Sequence, residues 1–380
     1  MKLSRKTENI AAMPDRKIVL APGPSGRFNS PQLYVVQKSD PQMAKDTGIL
    51  IIQHGDFPFD FIEKHKEMYE RVEGIMEKLS EESQSLPHTP ENDPHGADTE
   101  KLASVLQTAG YDVAIGYLDF ALPTISNAAK ALISKGHKKI VFACAPGLMM
   151  RSSHSLIDVP EVLRELKESN PGIEMIYARP GIPYELIVKA FLKKINVEMG
   201  IPAEREQLNL KANHPGTGVV LVAHGDVPHD FITKNIGVMQ EAEKHAHHWS
   251  EMVKQWPRSE ENDPNYYDTI VLKVKLRELF WPVPLEVGYM EFASPDIDEA
   301  FEKLLVTGPK KVIISGGTAF FGRSSHSLLD IPEAIDRLKA RYPGVDIVYA
   351  HPDEGLVMGE LAKAVSFKVE QALNGDVMPF

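Results

Sequence analysis

A chain of 380 residues with 43% hydrophobic and 25% charged side chains is long enough for two cores and ordinary in composition for a globular protein, which excludes extended disorder. Its formal charge of −11 argues against nucleic acid or an anionic membrane as the main partner, since both need a basic surface. The single cysteine, Cys144, excludes an intramolecular disulfide, a thiolate zinc site and a cysteine-held iron–sulfur cluster within one chain.

In chain order, the first 46 residues carry charges throughout and show no apolar core of signal-peptide length. No later stretch approaches the run of about 20 apolar residues that a membrane span needs, so a cytoplasmic location is expected. Beyond this extension the chain repeats itself. His54-Gly55-Asp56 returns as His224-Gly225-Asp226, and Glu91-Asn92-Asp93-Pro94 returns as Glu261-Asn262-Asp263-Pro264. Gly116 to Ala121 returns as Gly288 to Ala293, and Arg151 to Glu161 returns as Arg323 to Glu333. The offset is 170 residues at the first histidine and 172 at the second, so the motifs stay in register, as expected of a duplicated domain. The expected division is an N-terminal extension (1–46), a first domain (47–200), a linker (201–216) and a second domain (217–380).

Within each half, short β-rich runs alternate with amphipathic stretches, which predicts an α/β fold with a parallel four-stranded sheet flanked by helices. The predicted strands are Gly48–Gln53, Asp112–Leu118, Lys139–Ala143 and Ile173–Ala178, then Gly218–Ala223, Leu285–Met290, Lys311–Ser315 and Val345–Ala350. A charged helical insertion follows the first strand of each half, roughly Phe57 to Gln107 and Val227 to Phe280, and each is read as ending in a Pro/Asn/Asp cluster expected to break the helix.

Open parallel sheets bind ligands at the carboxyl ends of their strands. His54 and His224 follow first strands, Asp119 and Glu291 follow second strands, and His154 and His326 lie after third strands, so each set of three converges on one sheet edge. Two imidazoles and a carboxylate suit a divalent first-row metal with coordination positions left open. Asp158 and Asp330 read either as helix N-caps or as acceptors of the second ring N–H of the neighbouring histidine. Arg151, Ser152, Ser153, Arg323, Ser324 and Ser325 enter helix N-termini and are expected to meet the carboxylates of an anionic substrate.

Plainer readings stand beside these. A lone histidine after a strand is commonly a hydrogen-bonded turn residue, and Gly55 and Gly225 read simply as tight-turn glycines. His245, His247 and His248, beside Trp249, read as a solvated helix face in preference to a metal-delivery site. Gly317 to Ser324 nearly matches a phosphate-binding loop, but Arg323 stands where that loop needs lysine.

With these residues in view, the sequence resembles the class II chelatases of the sirohydrochlorin cobaltochelatase and ferrochelatase group. The resemblance rests on the first-strand His-Gly, the second-strand Asp/Glu-Phe-Ala and the His-x-x-x-Asp-Ile/Val-Pro loop, and covers most of both halves apart from the extension and the insertions. It implies ATP-independent insertion of Co²⁺, with Fe²⁺ or Ni²⁺ as other candidates, into a sirohydrochlorin-type tetrapyrrole of cobalamin or related biosynthesis, with no organic cofactor. Asp56 and Asp226 depart from the serine common in that group. Glu291 matches the group's acid, so His224, Glu291 and His326 are the expected catalytic and metal ligands. His54, Asp119 and His154 are then a second site or the opposite wall. A metal or tetrapyrrole carrier without turnover and a phosphate-handling enzyme are the competing functions.

Overall fold

The computed structural model describes residues 46–62, 76–108, 110–200, 202–203, 216–235, 252–352 and 354–380. The first half contains β1 (Thr47–Gln53), α1 (Met76–Gln84), α2 (Pro94–Gln107), β2 (Asp112–Tyr117), α3 (Ile125–Ser134), β3 (Lys139–Cys144), α4 (Val159–Ser169), β4 (Glu174–Tyr177) and α5 (Tyr184–Glu198). The second contains β5 (Thr217–Ala223), α6 (His229–Lys234), α7 (Pro264–Phe280), β6 (Leu285–Tyr289), α8 (Ile297–Leu305), β7 (Lys311–Gly316), α9 (Ile331–Arg341), β8 (Asp346–Ala350) and α10 (Glu354–Leu373). Every strand lies within one residue of its expected bounds.

The sheets are parallel, in the orders β2-β1-β3-β4 and β6-β5-β7-β8. From β1 the chain leaves toward β2, and β3 returns on β1's other side, so the switch of direction falls between β1 and β3, where a ligand crevice is expected. Every residue of β1 and β5 is buried, as befits central strands covered on both faces. Alternation then divides the side chains: Leu50 and Ile52 pack outward with α3 and α4, while Ile49 and Ile51 face inward. Val220 and Val222 face outward in the second half, and Val219 and Leu221 inward. The inward faces of both sheets share one apolar core with α2, α5, α7 and α10.

The last helices cross over. α5 packs against β7 and β8 of the second sheet, and α10 packs against β3 and α2 of the first. Beyond α10 the chain continues onto the first sheet, where Val377 pairs with Ala178 and Arg179 Nε donates to Asp376 at 2.8 Å.

The Pro/Asn/Asp clusters do more than break a helix. Asp93 and Asp263 are N-caps, accepting at 2.9 Å from the backbone N–H of Gly96 and Tyr266, with a proline next in the first turn, so each cluster starts the helix that follows it. Described helices occupy much of the two expected insertions, while residues 63–75 and 236–251, and with the latter His245, His247, His248 and Trp249, lie outside the described residues. No described helix is long and apolar enough to cross a membrane.

Candidate metal-binding site

The histidines of each half come from the loops after the two strands that flank the switch point. The rings of His54 and His154 lie 5.1 Å apart between centroids, those of His224 and His326 lie 5.2 Å apart, and both pairs meet edge to face. In every ring Nδ1 is committed. His54 Nδ1–H donates to the carbonyl of Gly55 (2.7 Å) and His224 Nδ1–H to that of Gly225 (2.9 Å). His154 Nδ1–H donates to Asp158 (2.7 Å) and His326 Nδ1–H to Asp330 (2.6 Å). Because carbonyls and carboxylates only accept, the four imidazoles keep their Nε2 lone pairs for a ligand.

Asp158 and Asp330 are thus the partners of the histidines. They make no side-chain cap: the helical path begins a turn earlier, in π turns at His154–Asp158 and His326–Asp330, which bring residues four apart onto one face.

The acids follow β2 and β6, on loops pressed against the His-Gly turns. A Cβ on Gly55 would stand 1.9 Å from the carbonyl oxygen of Asp119, and one on Gly225 would stand 1.9 Å from that of Glu291. Close approach of the acid loop therefore demands glycine at both positions, and Gly225 also adopts φ +95°. The residue after each acid, Phe120 or Phe292, takes a positive φ of 55° or 57°, a conformation costly for a bulky side chain and held here by its surroundings. Ser80 and Ser83 bond the backbone of Phe120, while Arg258 donates to the carbonyl of Phe292 and pairs with Asp263.

The acids differ in their settings. Asp119 Oδ1 lies 3.4 Å from His54 Nδ1, closed off from solvent and without a hydrogen-bond partner. Glu291 is exposed, near enough for its charge to act on both His224 and His326. Among the described residues no three His, Cys, Asp or Glu side chains stand grouped as a finished metal cage; each half presents two touching imidazoles with a carboxylate beside them.

Burial depresses the pKa of His54 and of His224, although the nearby acids act in the opposite sense. Burial also works against the charged form of His154 and His326, but the hydrogen bond and charge of Asp158 or Asp330 outweigh it, and both are raised. Each pair therefore combines a ring that is neutral at ordinary pH with one that holds its proton longer.

The expected partners of an anionic substrate are engaged within the protein, most of them across the two halves. Arg151 forks onto Asp268 (2.6 Å from Nη2) and reaches Glu260 (2.9 Å). Arg323 forks onto Asp98 (2.6 Å from Nη2 and 2.8 Å from Nε). Ser153 gives its N–H and hydroxyl to Asp226, Ser325 gives both to Asp56, and Ser152 and Ser324 bond Ser155 and Ser327. Arg151, Arg323, Ser153 and Ser325 thus tie the halves together, Ser152 and Ser324 brace their own loops, and these donors do not point at an empty anion site. The trans carboxylates went unread in the sequence, although Asp98-Thr99 and Asp268-Thr269 recur at the 170-residue offset.

The stretch from Gly317 to Ser324 is no phosphate cradle. Gly317 N–H bonds Val222, Phe320 N–H bonds Gly317, and Ser324 N–H bonds Ser327 Oγ, so these amides are spent internally, while Phe320 and Phe321 are buried. A cavity of about 10 Å³, lined by Gln53, His95, Pro146 and Thr318 among others, has room for about one water and is not a tetrapyrrole site.

A doubly wound α/β sheet with two imidazoles and a carboxylate after the strands at its switch point occurs here twice. A profile of the CbiX family matches residues 91–197 and 263–352, and the chain belongs to that family. A sirohydrochlorin cobaltochelatase of Priestia megaterium is 22% identical over 299 residues, covering 75% of this chain and 78% of that protein. A sirohydrochlorin ferrochelatase of the same organism is 32% identical over 80 residues, 21% of this chain and 29% of that protein. The fold matches SirB from Bacillus subtilis with Fe³⁺ at TM-score 0.53 and 17% identity, over 87% of this chain and 99% of that one. It also matches the sirohydrochlorin chelatase SirB from Bacillus subtilis subspecies spizizenii in complex with cobalt, at 0.50 and 15%, with the same coverage.

Proposed function

We propose that this protein is a metal chelatase that inserts a divalent ion, Co²⁺ in preference to Fe²⁺ or Ni²⁺, into a sirohydrochlorin-type tetrapyrrole without ATP. The observation that carries this reading is the second-half pair, His224 and His326, touching at 5.2 Å with both Nδ1 atoms committed and exposed Glu291 beside them. The metal is the substrate. Nε2 of His224 and of His326 hold it, and Glu291, one methylene longer than Asp119 and open to solvent, closes on it as a third ligand.

Exchange of one M²⁺ for two pyrrole protons leaves charge balanced, and those protons need acceptors within hydrogen-bond reach. Glu291 and whichever imidazole the ion vacates serve as acceptors at neutral pH. Holding ion and ring on one sheet edge removes much of the entropic barrier to their meeting. The large planar ring sits on the open edge between the halves, since the small internal cavity does not admit it. His54, Asp119 and His154 form the opposite wall or a second, weaker ion site. The relatives named as sirohydrochlorin chelatases support the choice of ring, and the names cobaltochelatase and ferrochelatase leave two metals to compare.

The test is an absorbance assay of the purified protein with sirohydrochlorin and, in separate runs, Co²⁺, Fe²⁺ and Ni²⁺. Acceleration over the spontaneous rate, greatest with Co²⁺, is expected. Binding of metal without acceleration of insertion by any of the three would turn the reading to a carrier.

A further inference from the structure

His326 stands at the end of a loop gripped from the other half. Ser325, the residue before it, is buried and gives its backbone N–H to Asp56 Oδ2 at 2.6 Å and its hydroxyl to Asp56 Oδ1 at 2.7 Å. Asp56 is equally buried, and the N–H of Phe57 fixes it further by donating to Oδ1 at 2.9 Å. Two donors on one residue meeting two oxygens of one group require a carboxylate, because an amide or hydroxyl offers a single acceptor. Two residues earlier in the same loop, Arg323 forks onto Asp98, also of the first half. The loop therefore has little freedom to rotate the His326 ring away from His224.

We infer that Asp56 is a positioning residue acting in trans: it holds Ser325, and through Ser325 it sets His326 of the opposite half's site in place to receive the metal. The inference rests on the assignment of metal to His224, Glu291 and His326. Loading at the second half then depends on a residue in the first-strand loop of the first half, two positions after His54. The Asp226 to Ser153 pair is the reciprocal contact.

The experiment removes the first-half ligands with His54→Ala and His154→Ala, then titrates Co²⁺ alone into this parent and its variants by visible absorption. Asp56→Ala is expected to weaken Co²⁺ binding about tenfold, Asp56→Asn less, and Asp56→Ala with Ser325→Ala no more than Asp56→Ala alone. In parallel, the imidazole resonances of the metal-free protein are followed by NMR; those of His326 are expected to shift in Asp56→Ala and those of His224 to stay. Unchanged Co²⁺ affinity with an unmoved His326, or additive effects of the two substitutions, would overturn the inference. A parent that binds no Co²⁺ refutes the metal assignment, and the His326 resonances then decide by themselves whether Asp56 positions that ring.

Discussion

The two halves carry the same motifs at matched positions, yet they meet their acids differently. In the first half Asp119 Oδ1 is drawn to 3.4 Å from His54 Nδ1, beside a cluster of Phe57, Phe61 and Phe120 whose counterpart in the second half is Val227, Phe231 and Phe292. The longer Glu291 of the second half stands in solvent, and Phe320, where the first half has Leu148, lies 6.0 Å from His224 and 5.9 Å from His326. One pair thus has its acid drawn against a ring and the other has its acid in solvent; His54 and His224 both have an aromatic neighbour after the acid, Phe120 at 5.3 Å and Phe292 at 6.3 Å, and Phe320 adds another in the second half. Duplication supplied two copies of a ligand set, and the proposed function turns on their divergence at the acid.

The largest effect that can break this comparison is removal of one ligand pair. His224→Ala with His326→Ala is expected to lower the insertion rate on the order of 100-fold, and His54→Ala with His154→Ala only about threefold, measured as initial rates with Co²⁺. Equal losses would make the halves equivalent. Next comes the acid: Glu291→Asp, which gives the second half the residue of the first, is expected to cost about tenfold in kcat/KM, whereas Asp119→Asn leaves the rate within about twofold.

A smaller effect is set by pH. His326 is raised above the ordinary histidine value of 6.5, so Co²⁺ binding is expected to weaken as pH falls through that raised value. Asp330→Asn removes the charge that raises it and moves the transition to lower pH, which a set of Co²⁺ titrations across the range would show.

The smallest effect is on stability. His88, held above 6.5 by its hydrogen bond to Asp93, occupies the position of Arg258, which pairs with Asp263. Its contribution is fully present below pH 6.5 and lost as pH rises through the folded-state value, whereas the arginine keeps its charge throughout. His88→Arg is expected to flatten the fall in Tm above neutrality by about 1–2 °C in thermal melts.

The sheets could be read from residues because their signal is local: apolar runs such as Gly48–Gln53 and Gly218–Ala223, repeated in register, leave little choice of strand. The paired histidines were legible for the same reason, since parallel topology carries residues after β1 and β3 to one edge. The roles of Arg151 and Arg323 were not. Their carboxylates lie 117 and 225 residues away, and nothing local distinguishes a guanidinium awaiting an anion from one already paired. Asp158 and Asp330 carried the sequence signature of a cap, and only the early start of the helical path, at His154 and His326, frees them to bond the imidazoles.

The crossing of α5 and α10 has a consequence for what can be cut. Severed near residue 210, the fragments could not each close over their own β-layer, because the covering rod of one is encoded in the other. Two such pieces would have to find each other before either hid its greasy underside.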